Sequence, residues 1–380
     1  MKILLVMRQP YLEKVENLKY LINYFAGLHM QVNIVTAKDE HYLMPSFASK
    51  NVQCYLIDTS QKKDHYLHIP AWVRMLLAVF KIAIYEKPSV IIGADRFGTI
   101  ISQLVAQFVG IPFIYYSLEY PVEKARLDRL NDKLEYRAIR KSALAITFDD
   151  VHAKFISQEV GTDISKFMLL PNSSGPRTRV GRSNLLRASL NLAADNVIVL
   201  HSGGFGPWFH SLELARKALS WPGHHRLVFH TSHLVEQTDY AKEFLKEIRD
   251  QRVILHAAPV PFSDLDDLIA SADIGLAIYN TELLGYRADL LGLASGKIGR
   301  YLKNGLPIIV QRLSSFVPFV EKYGCGVCIS HLAEIDDAIT AIMSDYQNYS
   351  NNAIRCYDEL WTPESHCAKI AQRLRILIDK

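Results

Sequence analysis

The chain has 380 residues and a formal net charge of +4, with 22% charged and 49% hydrophobic residues. It is too long for one hydrophobic core and too weakly charged to imply a nucleic-acid partner, so a globular enzyme of two domains is expected. The five cysteines, Cys54, Cys325, Cys328, Cys356 and Cys367, lack the density of a disulfide framework, which points to a reducing, cytoplasmic setting.

Lys2 and the apolar run Ile3 to Met7 are too short for a signal peptide and read as a first strand. Further β-rich runs follow at Val32 to Thr36, Val52 to Ile57, Val90 to Gly93, Phe113 to Ser117 and Ala143 to Thr147, separated by helix-length patterns. Strands buried on both faces have this texture, and their alternation with helices predicts right-handed crossovers and a parallel sheet. Phe97 to Leu118 carries no charge, but Gly110 and Pro112 divide it into a buried helix and a strand, not a membrane span.

After Leu169-Leu170-Pro171-Asn172 the texture changes, and Ser173 to Ser183 holds serines, glycines and arginines with little that would form a core. The alternation restarts at Val197 to Leu200, Leu227 to His230, Val253 to His256, Ile274 to Tyr279 and Pro307 to Val310. Expected boundaries are an N-terminal Rossmann-like domain over 1–172, a linker over 173–190, a second Rossmann-like domain over 191–360, and a terminal helix over 361–380 after the break at Pro363. That helix is expected to pack back on the N-terminal domain. The fold class is α/β with two parallel sheets, and the active site is expected in the cleft that two such domains form.

Two features carry chemistry. The first strand of the second half runs into His201-Ser202-Gly203-Gly204-Phe205-Gly206-Pro207, and a helical pattern begins near Ser211. Glycines there let backbone N–H groups approach an anion, and a helix start adds a positive dipole end. The second is Gly292 to Leu302 with Ser295-Gly296-Lys297 inside it. Ser295 reads as an N-cap, which puts Lys297 in the first helical turn, where a cation opposes the dipole unless an anionic ligand is present. Leu291 and Ile298 break the P-loop pattern and argue against a nucleotide-triphosphate kinase.

The order of these pieces resembles that of the GT-B fold glycosyltransferases, especially family 4 and its relatives. Ile92-Gly93-Ala94-Asp95, Ile111 to Glu119, Leu169 to Asn172, Leu200 to Gly206, Ala272-Asp273-Ile274-Gly275-Leu276 and Gly305-Leu306-Pro307-Ile308-Ile309-Val310 stand in the expected sequence across most of the chain. The resemblance implies transfer of a hexose from a UDP- or GDP-sugar to a glycan or lipid-linked acceptor, with retention of configuration. The donor diphosphate would lie on Ser202, Gly203, Gly204, Phe205 and Gly206 and on Ser295, Gly296 and Lys297. The base would rest near His256 to Pro259, which includes Ala258 and Pro259, with Tyr279 as a further donor contact; by position, His201 beside the glycine loop and His233 after the strand ending at Thr231 are also candidates to touch the donor. Two points depart from the family pattern: Gly292 and Arg300 stand where paired glutamates are usual, and the first loop has glycines where an arginine is usual. A non-catalytic sugar-nucleotide-binding relative and a sugar-nucleotide epimerase are the alternative readings.

Lys297 and aligned N–H groups would stabilise the departing diphosphate without a metal or other cofactor. In the N-terminal half, Asp95 and Glu119 follow strands and are candidates for orienting the acceptor or accepting its proton; a strand-end cap is the plainer role for each. Asp149 and Asp150 suit a helix cap. Asp264-Leu265-Asp266 mimics a metal-binding D-x-D but follows Ser263 at a helix start, where it reads as capping. Basic residues after Tyr120 (Lys124, Arg126, Arg129, Lys133, Arg137, Arg140, Lys141) and the apolar segment Ala71 to Lys87 suggest a peripheral contact with anionic membrane, against a plain solvated face offset by Asp128, Asp132 and Glu135.

Overall fold

The computed structural model describes residues 1–42, 44–59, 71–118, 128–177, 181–231 and 238–379. The chain divides into two compact units, Met1–Gly175 together with Pro363–Lys380, and Pro176–Thr362.

The first unit is built on seven strands: β1 (Lys2–Met7), β2 (Gln31–Lys38), β3 (Val52–Asp58), β4 (Val90–Ala94), β5 (Phe113–Tyr116), β6 (Leu144–Thr147) and β7 (Phe167–Leu169). All pairings are parallel, in the order β3-β2-β1-β4-β5-β6-β7. Alternate side chains enter two cores. Ile3, Leu5, Ile92 and Ile114 face one side, and Leu4, Val6, Ile91 and Tyr115 face the other. The final helix, Pro363–Ile378, packs on the first of these through Cys367, Ile370, Ala371 and Leu374. The terminal helix therefore returns to the N-terminal unit, as expected.

The second unit has six strands: β8 (Val197–Ser202), β9 (His225–His230), β10 (Val253–His256), β11 (Ile274–Ala277), β12 (Ile308–Gln311) and β13 (Gly326–Ile329), again all parallel and ordered β10-β9-β8-β11-β12-β13. Both sheets reverse their winding beside their first strand, between β1 and β4 and between β8 and β11. Ligands in open α/β sheets gather at such a switch point, outside the carboxyl ends of the strands.

Two details differ from the sequence reading. The stretch assigned to a linker contains the helix Leu185–Ser189, whose Leu186 is fully buried in the second unit. Strands β7 and β13 are additional edge strands. Cys325, Cys356 and Cys367 are buried and Cys54 and Cys328 half-buried, all as free thiols. No helix among the described residues is long and apolar enough to cross a membrane.

Candidate functional site

The expected donor site lies at the switch point of the second unit. β8 ends at Ser202, and the chain turns through Gly203 and Gly206, whose φ angles of +113° and +142° are ones that L side chains rarely adopt. Gly204 is required for another reason: a Cβ there would sit 2.1 Å from the Phe209 ring. Gly203 N–H donates to His230 O and Gly206 N–H to Ser211 Oγ. The N–H groups of Gly204 and Phe205 have no acceptor among the described residues. The Phe205 ring anchors the loop, packed against Phe229, Tyr240 and Phe244.

Opposite this loop stands the helix Gly296–Lys303. Ser295 occupies its N-cap position, yet its side chain makes no capping bond and pairs instead with Tyr279 Oη at 2.9 Å. The first N–H groups of the helix are thus left without a side-chain cap, as an anion site requires. Tyr301 on the same helix lies over Gly275, where a Cβ would come within 2.4 Å of its ring, and its hydroxyl accepts from Ser202 N–H at 2.7 Å. That bond ties the glycine loop to the helix. Asp266 ties the helix from behind, accepting from Arg300 Nη1 at 2.9 Å and Lys303 Nζ at 2.7 Å.

Lys297 is half-buried between the two. Its Nζ lies 4.4 Å from the Phe209 ring centroid, 5.0 Å from that of Tyr279 and 3.2 Å from His201 Nε2. No carboxylate among the described residues lies within ion-pairing distance. Burial draws the ammonium down to about 7. His201, almost wholly buried, is held well below its ordinary range by that burial and then by the neighbouring lysine, so its imidazole is neutral. At the ends of β9 and β10, His230 and His256 meet through their Nδ1 atoms at 3.0 Å. Desolvation takes His230 down to about 4. Ala258 and Pro259 lie two and three residues past the end of β10.

Sequence reasoning therefore brings Ser202 to Gly206, Tyr279 and Ser295 to Lys297 onto one locus. It misses Phe209 and Tyr301, whose roles depend on contacts 70 to 100 residues away in sequence. Arg300 is turned to Asp266 and away from the glycine loop, so the D-x-D look-alike is half of a helix lock. Ser263 Oγ bonds Asp264, not a backbone cap. Among the described residues no group of His, Cys, Asp and Glu has the arrangement of a metal site.

In the first unit, Asp95 is the N-cap of the helix Arg96–Val109, accepting from Gly98 N–H at 2.7 Å and Gln9 N–H at 2.9 Å. Both carboxylate oxygens are committed to backbone, which is a clamp between the ends of β1 and β4. Its φ of +57° and ψ of 172° are strained for a non-glycine residue. Asp149 likewise caps Asp150–Val160 through His152 N–H. Glu119, His233, Lys124 and Arg126 lie outside the described residues.

Residues 261–363 match the family model of the glucosyltransferase 3-like C-terminal domain. A search of curated proteins finds no match. Among solved structures, a sucrose-phosphate synthase from Thermosynechococcus elongatus aligns over 100% of this chain and 99% of its own, with a TM-score of 0.75 and 14% identity. The fold is GT-B. HepE of Anabaena, in complex with UDP-glucose, aligns over 99% of both chains at 0.71 and 16% identity. WaaG, a glycosyltransferase involved in lipopolysaccharide biosynthesis, aligns over 96% and 98% at 0.66 and 13%. The GT-B assignment agrees with the two parallel sheets and with the order of motifs along the chain.

Proposed function

We propose that this chain is a glycosyltransferase of hexosyltransferase type that takes its sugar from a UDP-sugar held by the second unit. The observation that carries this reading is Lys297: a half-buried lysine with no carboxylate partner among the described residues, on a helix start without a side-chain cap, facing a glycine loop with two N–H groups that meet no acceptor among those residues. Such a constellation is costly unless an anion completes it. A nucleoside diphosphate fits, since the group leaves with added negative charge as the glycosidic bond breaks. Lys297, the N–H groups of Gly204 and Phe205 and the helix start would meet that charge without metal or other cofactor. UDP is favoured over GDP by the likeness to HepE, whose structure holds UDP-glucose. Transfer with retention, and a glycan or lipid-linked acceptor, complete the proposal.

The reading extends to a peripheral contact of the first unit with an anionic bilayer. Asp132 and Glu135 are both buried and bound to Arg96, so they offset the basic face only in part. Lys133, Arg137 and Arg140 are exposed, and Arg137 joins Phe97, Leu104, Phe108, Leu130 and Leu134 in lining an apolar groove of about 850 Å³.

The donor reading is tested by thermal shift with UDP, GDP, CDP and dTDP, alongside turnover of Lys297→Ala. UDP at 100-fold its dissociation constant is expected to stabilise by about 2.7 kcal/mol. The variant should stay folded and lose at least about a hundredfold in turnover. Near-normal rates in the variant would sink the assignment, and product analysis separates transfer from epimerisation.

A further inference from the structure

The hydrogen inventory around His201 has one fewer place than its atoms demand. Nε2 lies 3.0 Å from Gly204 O and 3.2 Å from Lys297 Nζ, while Nδ1 is buried without a partner among the described residues. A carbonyl only accepts, so the Gly204 contact is a hydrogen bond only if Nε2 carries the proton. In that tautomer the imidazole presents an N–H to Lys297, and an ammonium finds no acceptor there. The opposite tautomer would give Lys297 an acceptor, but it would set a lone pair against Gly204 O and bury the Nδ1–H unpaired, at a cost of about 1–3 kcal/mol. The carbonyl thus fixes the tautomer, and the tautomer disfavours a charged lysine.

The other ionisable neighbours leave this conclusion standing. Tyr279, after β11, and Tyr301, on the lysine's own helix, are both pushed up by burial and stay neutral. Arg300 and Lys303 on that helix are bound to Asp266. The His230–His256 pair, at the ends of β9 and β10, is neutral. From the turn after the glycine loop, Phe209 offers only its ring, and its neighbour His210 faces Glu213 at 3.7 Å.

We infer that His201 is a positioning residue that makes diphosphate binding proton-coupled: Lys297 gains a proton from solvent as the anion arrives, and its ammonium then pairs with the phosphate oxygens. The inference rests on the donor reading above and adds a condition to it. The terminal phosphate of a nucleoside diphosphate titrates near 6, so above pH 8 the ligand arrives fully ionised and the proton counted belongs to the protein.

Calorimetry of UDP and of GDP at pH 8.5, in two buffers of different ionisation enthalpy, reads the uptake directly. The full chain should take up close to one proton per site, and affinity should fall about tenfold per pH unit above neutrality. Lys297→Arg, charged at every accessible pH, should bind with no uptake and a flat profile. His201→Ala, which admits water to Lys297, should lower the uptake; a purely structural role for His201 would weaken binding equally at every pH and leave the uptake unchanged. In the ligand-free protein, a lysine ε-carbon resonance that Lys297→Arg removes should titrate near neutrality. Binding without uptake, or a midpoint near 10, overturns the coupling alone. Failure of both ligands to bind overturns the donor reading and the coupling with it.

Discussion

At the scale of one residue, Lys297 shows a site held at the expense of stability. The free side chain ionises near 10.5, whereas burial holds it at about 7 in the folded protein. Below pH 7 both folded and unfolded chains are protonated, and folding bears the full cost of burying the charge. Between 7 and 10.5 the unfolded chain binds the extra proton, so stability rises with pH and the cost fades. Lys297→Met, which keeps the length and removes the charge, should therefore raise Tm. A gain of at least about 2–4 °C is expected at pH 6.5, shrinking toward pH 10, by calorimetric melting at both pH values. A lysine satisfied by an unseen carboxylate would give the reverse: the methionine variant would melt lower, most of all at neutral pH.

At the scale of elements, the helices beside β4 and β5 carry the membrane reading. Ala71–Glu86 sets Met75, Val79 and Ala83 against the sheet, yet its other side still shows Trp72, Leu77, Ile84 and Tyr85 to solvent. A helix apolar all round needs a second apolar neighbour. Asp128–Lys141 adds exposed Leu130 and Leu134 in line with Arg137. Vesicles containing phosphatidylserine should sediment the protein, neutral vesicles much less, and Leu134→Glu with Phe108→Glu should abolish the difference while thermal stability is kept. Equal sedimentation by both vesicle types would exclude an electrostatic contact. The sequence discloses these helices because period and composition are local properties. It discloses the long central strands for the same reason: runs such as Ile3 to Met7 are apolar throughout because both faces are covered. The edge strand Phe167–Leu169 escapes because it is only three residues long and half-buried, and Gly326–Ile329 because it opens on a glycine, which strands disfavour. Arg300 escapes for a different cause. Its partner Asp266 lies 34 positions away, and nothing local distinguishes a cation that braces a helix from one that meets a ligand. The glycine loop and Ser295-Gly296-Lys297 are legible because each breaks a local rule, an anion-ready turn in one case and a cation at the wrong helix end in the other.

At the scale of the whole molecule, the chain leaves the first unit at Gly175 and re-enters it at Pro363. The second unit, Pro176–Thr362, is continuous and encloses its own cores, with Trp361 and Tyr357 fully buried near its end. The first unit is not continuous. Cys367, Ile370, Ala371 and Leu374 are at most 3% exposed, and Tyr20 donates to Glu364 at 2.6 Å. Fully burying one large aliphatic side chain is worth about 1.5–3 kcal/mol, so this helix contributes several kcal/mol, comparable with the 5–15 kcal/mol of a whole domain. Expressed alone, residues 176–362 should melt cooperatively and still be stabilised by UDP. Residues 1–175 should expose the apolar floor beneath the missing helix, bind a hydrophobic dye and aggregate, and a peptide spanning 363–380 added during refolding should restore a cooperative transition. The asymmetry follows from topology: a unit closed by a returning helix depends on both chain ends, whereas one built from a single stretch does not. A stable, dye-free 1–175 fragment would show that the returning helix merely decorates a complete domain, and a 176–362 fragment that folds yet ignores UDP would place the donor's essential contacts outside the second unit.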